Sequence, residues 1–357
     1  MSINLNKLAE EVLSSGSPDL HLQVGQSPVI RTRNGDLGIL DNYPVITKED
    51  IKEVIDSITT DKQKDKFEED HEIDFSYHIE GISRFRVNVY RERNGSAIAF
   101  RVISENIPTM DELELNDVVK KLAMQPHGLV LITGPTGSGK STTLASIIDY
   151  INQNRSSHII TIEDPIEFVH KNKKSLISQR ELNVHTHSFP NAIRSALRQD
   201  PDIVMVGEMR DLETISAAIT LAETGHLVLS TLHTTDAAQT IDRIIDVFPP
   251  YQQQQIRSQL SNVLRGVVSQ VLLPRIDTNG RVAAREIMVV NDAIRNCISK
   301  DQTHQIYSTI QIGASEGMIL MDQALENLYK NGLISVEEAL SKATDLESLQ
   351  NQISKLQ

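Results

Sequence analysis

Cysteine is nearly absent: among 357 residues Cys297 stands alone. A disulfide framework and a cysteine-built zinc site within one chain are thereby excluded. Tryptophan is missing and aromatic residues make up only 4%, so an aromatic stacking platform for single-stranded nucleic acid is not expected. No apolar run approaches the roughly 20 residues that cross a bilayer. Met1 to Leu13 carries scattered charge where a secretory signal has a long apolar core, so none is expected and the predicted compartment is cytoplasmic. Positive charge is in deficit too. Lys and Arg number 35 against 48 Asp and Glu, a net of −13. Non-specific binding of nucleic acid draws on a cationic surface, so no nucleic-acid partner is expected. What remains is an ordinary globular composition, 39% hydrophobic and 23% charged, on a length that suggests about two domains.

The pattern of apolar residues divides the chain. Leu5, Leu8 and Val12 recur at helical spacing, and Leu20, Leu22 and Val24 alternate as in a half-buried strand. Asn34-Gly35 is a hairpin signal. Thr47 with Asp50 forms a capping-box pattern ahead of Ile51, Val54, Ile55 and Ile58, an amphipathic helix. Ile73 to Ile79, Phe85 to Val89 and Ser96 to Ile103 read as three further strands joined at Glu80-Gly81 and Asn94-Gly95. The first 104 residues therefore read as an antiparallel sheet with helices, an α+β module. The pattern breaks around Pro108, and residues 105–114 read as a linker. From 115 to 291 short apolar strands (Leu129–Thr133, Ile159–Ile162, Ile203–Val206 and Leu227–Leu232) alternate with helices, the grammar of an α/β sheet covered on both faces. Residues 292–357 read as mostly helical.

The strongest motif is Gly134-Pro135-Thr136-Gly137-Ser138-Gly139-Lys140-Ser141, a full P-loop pattern, followed by Thr142. Its context fits: an apolar strand precedes it, and Leu144, Ile147, Ile148 and Ile151 mark one face of a helix behind it. Glycines let the backbone curl so that N–H groups converge on phosphate oxygens. The helix N-terminus adds partial positive charge. These nine residues are the candidate ATP-binding set, with Lys140 on the β/γ-phosphates and Ser141 on Mg²⁺.

Four further groups of polar residues accompany the motif. Glu208 follows the apolar strand Ile203–Val206, where a Walker B carboxylate usually Asp would stand, and is the second Mg²⁺ candidate. Glu163, Asp164 and Glu167 follow the strand Ile159–Ile162 and are candidates to orient or activate water. His226 and His233 bracket Leu227–Leu232, with His233 among threonines suited to sensing a γ-phosphate. Arg84 and Arg86 alternate with Phe85, Val87 and Val89, and Arg101 sits on the next strand. Such arginines, facing out, suit a nucleotide held by a neighbouring subunit.

The P-loop, the acidic box Ile162-Glu-Asp-Pro-Ile-Glu-Phe168, the stretch Val206-Gly-Glu-Met-Arg-Asp-Leu-Glu-Thr214 and the box Gly225-His-Leu-Val-Leu-Ser-Thr-Leu-His-Thr234 resemble the type II/IV secretion ATPase superfamily. Within it the chain is similar to the pilus-retraction, or twitching-motility, ATPases over nearly its whole length. The resemblance implies a RecA-like P-loop ATPase domain behind an N-terminal α+β PAS-like domain. It implies a homohexamer that hydrolyses ATP with Mg²⁺ at the cytoplasmic face of the inner membrane, acting on a platform protein at the pilus base, alone or beside a paralogous retraction ATPase. It implies that the acidic box supplies the catalytic glutamate, with Glu167 leading and Glu163 beside it. Glu208 takes the Walker B role, His226 and His233 link nucleotide state to packing, and Arg84, Arg86 and Arg101 reach a shared nucleotide site. Retraction ATPases carry a C-terminal Ala-Ile-Arg-Asn-Leu-Ile-Arg-Glu stretch; here Ala293 to Lys300 ends Cys297-Ile-Ser299-Lys300. Alternative readings are an accessory retraction subunit and a pilus-extension or type II secretion ATPase, though the latter typically carry a tetracysteine zinc motif and extra N-terminal sequence. A DNA motor is disfavoured by the charge.

Overall fold

A computed structural model describes residues 3–32, 35–103, 106–278 and 280–355. The chain forms two compact units, one of residues 1–106 with 165–169, the other of 107–164 with 170–357.

In the first unit, among the described residues, six strands form one antiparallel sheet: β1 (Asp19–Gln23), β2 (Val29–Arg31), β3 (Leu37–Ile39), β4 (Glu72–Ile79), β5 (Ser83–Glu92) and β6 (Gly95–Ile103), in the order β3-β2-β1-β6-β5-β4. The helices are α1 (Leu5–Ser15), α2 (Lys48–Ile58) and α3 (Asp61–Asp70). This is the α+β unit that the alternation predicts. The Thr47–Asp50 capping box closes as expected, with each residue's side chain bonded to the other's backbone N–H. Asn34 lies outside the described residues, and β2 and β3 pair on either side of it. α3 has no counterpart in the sequence reading, because its only buried residue is Phe67 and one apolar residue in ten leaves no period. A Thr60–Gln63 capping box and the Arg91 guanidinium over the Phe67 ring hold it instead. The core is a continuous apolar cluster that includes Phe85 and Phe100 packed edge to face, an arrangement that adds about 1 kcal/mol to their burial.

The second unit holds β7 (Gly128–Thr133), β8 (His158–Glu163), β9 (Leu176–Glu181), β10 (Ile203–Val206), β11 (Leu227–Leu232), β12 (Leu264–Pro274) and β13 (Arg281–Val289). Their order is β13-β12-β7-β11-β10-β8-β9. β7, β8, β9, β10, β11 and β12 run parallel, and β13 returns antiparallel along the edge. The helices are α4 (Asp117–Ala123), α5 (Lys140–Asn154), α6 (Phe189–Ala196), α7 (Leu212–Glu223), α8 (Ala237–Asp246), α9 (Pro250–Val263), α10 (Asp292–Ser299), α11 (Ile306–Ile312), α12 (Met321–Lys330), α13 (Val336–Ser341) and α14 (Leu346–Ser354). Apolar clusters line both faces of the sheet, which is why β7, β10 and β11 are buried at every position. Ile107 to Glu114, read as linker, groups with this unit, and Met110 is buried in its core. Cys297 is buried in α10. Among the described residues no helix is long and apolar enough to cross a membrane.

Candidate functional site

Parallel register decides which residues meet. Thr133 at the end of β7 pairs with Leu232 of β11 and Ser269 of β12. Val206 at the end of β10 pairs with Ile162 of β8 and Ser230 of β11. The P-loop, Glu208 and His233 therefore follow strands that end in line, Glu163 ends β8 beside them, and Gln270 stands on β12 one residue past the partner of Thr133, all at the carboxyl edge of one sheet, where open α/β sheets hold their ligands.

The P-loop leaves β7 in backbone conformations closed to most residues. Gly134, Gly137 and Gly139 have φ of 142°, 79° and 86°. Only Gly134 also lacks room: a Cβ there would stand 2.2 Å from the Gln270 carbonyl oxygen and 2.6 Å from Ser138 Oγ. Gln270 clamps the loop from β12. Its Nε2 donates to the Ser138 carbonyl at 2.6 Å, and its Oε1 accepts from Thr143 Oγ1 at 3.0 Å. One residue before the loop, Thr133 Oγ1 donates to Ser269 Oγ. Gly139 opens α5 without a side-chain cap, so the first-turn N–H groups have no capping oxygen. The buried Ser138 hydroxyl has no hydrogen-bond partner among the described residues. Lys140 Nζ folds over the loop and donates to the carbonyls of Gly134 and Pro135. An uncapped helix start, a buried unanswered hydroxyl and a glycine cradle fit an anion of phosphate size. Ser141 and Thr142 stand in the first turn of α5, both half-buried.

Two loops supply acids. Glu163 ends β8 and is buried; its Oε1 accepts from Thr161 Oγ1 at 2.5 Å and from Gln179 Nε2 at 3.1 Å. Glu208 stands two residues past β10. The loop that carries it is tied on both sides: Gly207 N–H donates to the Ile162 carbonyl, and Thr231 Oγ1 donates to the Gly207 carbonyl. Arg210 lies 2.8 Å from one Glu208 oxygen and His233 Nε2 lies 3.1 Å from the other. Burial works to raise the Glu208 pKa, but the bonds and charges of Arg210 and His233 prevail and hold it below the ordinary carboxylate value. Among the described residues no group of three or more His, Cys, Asp or Glu is placed to hold a metal by itself. A hydroxyl and a carboxylate with phosphate oxygens are, however, the hard donor set that suits Mg²⁺, and Ser141 and Glu208 carry groups of that chemistry.

The other predicted residues fall elsewhere. His226 precedes β11, at the amino edge, and its Nδ1 lies near Thr224 Oγ1 and the Leu221 carbonyl; it is not brought to the P-loop. Asp164 is exposed just past β8 and adds to the negative field on Arg210. Glu167 is exposed in the stretch that groups with the first unit. Arg86 and Arg101 are directly opposed on β5 and β6, and Arg84 is two residues from Arg86 on the same face. The opposed charges are answered by acids of their own unit: Arg101 Nε donates to Asp19 at 2.7 Å, and Arg86 stands 3.5 Å from Asp74. The bond to Asp19, reinforced by its charge and that of Glu167, raises the Arg101 pKa.

Gln270 and Arg210 are the side chains bonded to candidate site groups that the sequence reading did not single out. Gln270 had a signal, since a polar pair, Ser269-Gln270, interrupts the apolar run from Val267 to Leu273. Arg210 sat inside a motif without a part assigned to it.

The chain as a whole is similar to known proteins. Residues 1–344 match the family model for type II/IV secretion system proteins. The chain is 50% identical to the type IV pilus retraction ATPase PilT of Pseudomonas aeruginosa, over 96% of this chain and 98% of that protein. It is 38% identical to the type IV pilus ATPase PilU of the same organism, over 97% and 90%. It superposes on the crystal structure of the pilus retraction motor PilT with bound ADP at a TM-score of 0.92, with 46% identity and coverage of 98% and 99%.

Proposed function

Because this chain belongs to the type II/IV secretion system protein family, we propose that it hydrolyses ATP to power retraction of a type IV pilus, the activity for which its half-identical relative is named. One observation carries the chemistry. The uncapped start of α5, with its glycine cradle and Lys140, opens on the same sheet edge as Glu163 and Glu208.

In this reading the N–H groups of residues 134–142 and Lys140 bind the phosphates of ATP. Ser141 and Glu208 hold Mg²⁺, which neutralises phosphate charge when bound. Glu163 orients water, its carboxylate fixed by Thr161 and Gln179; Glu167 is the second candidate. His233 reports the state of Glu208 through their contact. The N-terminal domain is the unit of residues 1–106 with 165–169, and the ATPase domain is the unit of 107–164 with 170–357, of which 292–357 are a helical extension. The working form is a homohexamer in which Arg84, Arg86 and Arg101 act on a neighbour's nucleotide, with His226 in the packing between subunits. It works at the inner membrane on a platform protein, alone or with a paralogue.

Identity to the retraction ATPase exceeds identity to the PilU-type relative by 12 percentage points, 50% against 38% over similar lengths, which favours the motor over an accessory subunit. The test is to replace the chromosomal gene with Glu208→Ala and score surface pili and twitching. Abundant pili with no motility is the expected result. Loss of pili would overturn the reading in favour of an extension ATPase, and unchanged motility would overturn it in favour of an accessory subunit.

A further inference from the structure

Glu286 is an acid in a place that suits an apolar residue. It lies on β13, is 4% exposed, and neighbours Ala284, Ile287 and Met288 are buried with it. Burying a carboxylate is costly unless its oxygens are answered. Here each oxygen is answered by the opening N–H of a different helix. Oε1 accepts from Ala237, the first residue of α8, at 2.8 Å. Oε2 accepts from Met321, the first residue of α12, at 3.4 Å. The residue beside it, Ile287, is bonded in both directions to Ile319, two residues ahead of α12.

What α8 follows makes this consequential. The loop from His233 to Asp236 runs from the contact with Glu208 straight into Ala237. Thr234 is tied to Thr240 at 2.6 Å, and Thr240 Oγ1 also donates to the Asp236 carbonyl, so the loop and the first turn of α8 are one bonded piece. Glu286 also lies directly across the ladder from Ser269, which accepts from Thr133 at the root of the P-loop. Glu286 thus joins the heads of α8 and α12 through its carboxyl and lies on a strand whose ladder pairs it with the strand that backs the P-loop.

We infer that Glu286 is a positioning residue for the hydrolytic site: it fixes the His233 loop through the head of α8 and passes the loop's position to the C-terminal helices through the head of α12. This rests on the assignment of the P-loop and Glu208 as the ATPase site. It gives the His233 loop, which touches Glu208, a second attachment, on the far side of which lie the helices of residues 292–357.

The link is proton-sensitive. The titratable groups that face Glu286 are Asp236 at the cap of α8 and Asp322 in α12, both acidic, and the Tyr307 hydroxyl of α11. Burial is the largest influence and, with those charges, lifts its pKa to about 7, although the two N–H donors oppose the shift. Protonation removes one acceptor, and the longer bond, to Met321, is the one to go. Raising the pH through about 7 therefore tightens the link to α12 while removing the stability that the neutral form enjoys below the ordinary carboxyl value.

The test uses the full chain. Steady-state ATP hydrolysis is measured from about pH 5.5 to 8.5 for wild type, Glu286→Gln and Glu286→Ala, with Lys140→Ala alongside. Glutamine keeps an acceptor for Ala237 and loses the one for Met321, so it should behave as wild type does at low pH. The expected result is a wild-type kcat that rises across pH 7. In Glu286→Gln it should stay flat, about threefold or more below wild type at pH 8, with a KM for ATP within about twofold. Glu286→Ala should lose about tenfold or more. Amide exchange at Met321 should quicken in Glu286→Gln while Ala237 stays protected. A Glu286→Gln enzyme with the wild-type pH profile and unchanged Met321 exchange would overturn the inference, even if its melting temperature fell. Normal turnover by Lys140→Ala would overturn the site assignment itself. An inactive Lys140→Ala beside a wild-type-like Glu286→Gln would overturn only the role of Glu286.

Discussion

Lys140→Ala should lower ATP hydrolysis by at least about 10²–10³-fold, the scale on which one preorganised donor to developing charge acts. Lys140 is the only full cation within the run 134–142, and it reaches back across the loop to the Gly134 and Pro135 carbonyls. Alanine removes that charge together with the two bonds that brace the loop. Turnover by the purified chain is the measurement, with phosphate release as readout. A rate within twofold of wild type would sink the assignment of this loop to ATP. The fold is expected to survive, because Lys140 is half-buried and the apolar face of α5 (Leu144, Ile147, Ile148 and Ile151) is untouched. A melting temperature close to wild type separates loss of chemistry from loss of structure.

Gly134→Ala should cost both structure and nucleotide. A φ of 142° is not a conformation that alanine takes readily. The new Cβ would also stand 2.2 Å from the Gln270 carbonyl. That oxygen cannot step aside cheaply, because it belongs to β12 one residue from the Thr133–Ser269 pairing that seats the loop. We expect a loss of at least about 3 kcal/mol, within the range for forcing atoms into a packed interior plus a special backbone angle, and no measurable ATP binding. Gly137→Ala is the internal comparison. Its φ of 79° also favours glycine, but nothing lies within 4 Å of the added carbon. Its cost should be about 1 kcal/mol. Thermal unfolding of the two variants and nucleotide titration check the ranking; equal losses would show that backbone angle alone, and not contact with β12, sets the demand for glycine.

The elements most legible in the sequence were those whose burial has a period. β5 buries Phe85, Val87 and Val89 and turns Arg84 and Arg86 the other way, as alternation predicts. β7 and α5 bracket the P-loop where the motif requires them. α3 was illegible because its stability comes from a capping box and one cation–π contact, neither of which leaves an apolar rhythm. β13 was hidden for another reason: Arg285 and Glu286 interrupt it, and a buried acid that serves two helix ends reads from sequence as a surface residue. Within the site, the motifs single out Lys140 and Glu208, and the acidic box points first to Glu167 with Glu163 beside it, but pairing is not legible. Glu208 is held by Arg210 and His233 because β10 and β11 end in register, and register is a property of the whole sheet. The two histidines of one box illustrate the point, since a strand of six residues places His226 and His233 at opposite edges.

That polarity has a consequence for how such a chain can change its length over generations. At the carboxyl edge there is no slack. An extra residue at Gly207 would break its bond to Ile162 and carry Glu208 one residue, about 3.3 Å of extended chain, away from Arg210 and His233. At the amino edge Gly225 sits in open space, with nothing within 4 Å of an added carbon, ahead of a strand whose own pairing with β7 fixes everything beyond it. A one-residue insertion beside Gly225 should leave ATP turnover within about twofold, whereas the same insertion at Gly207 should abolish it. Equal damage at both places would contradict this division. Insertions and deletions should therefore accumulate on one rim of this sheet while the other keeps its loop lengths.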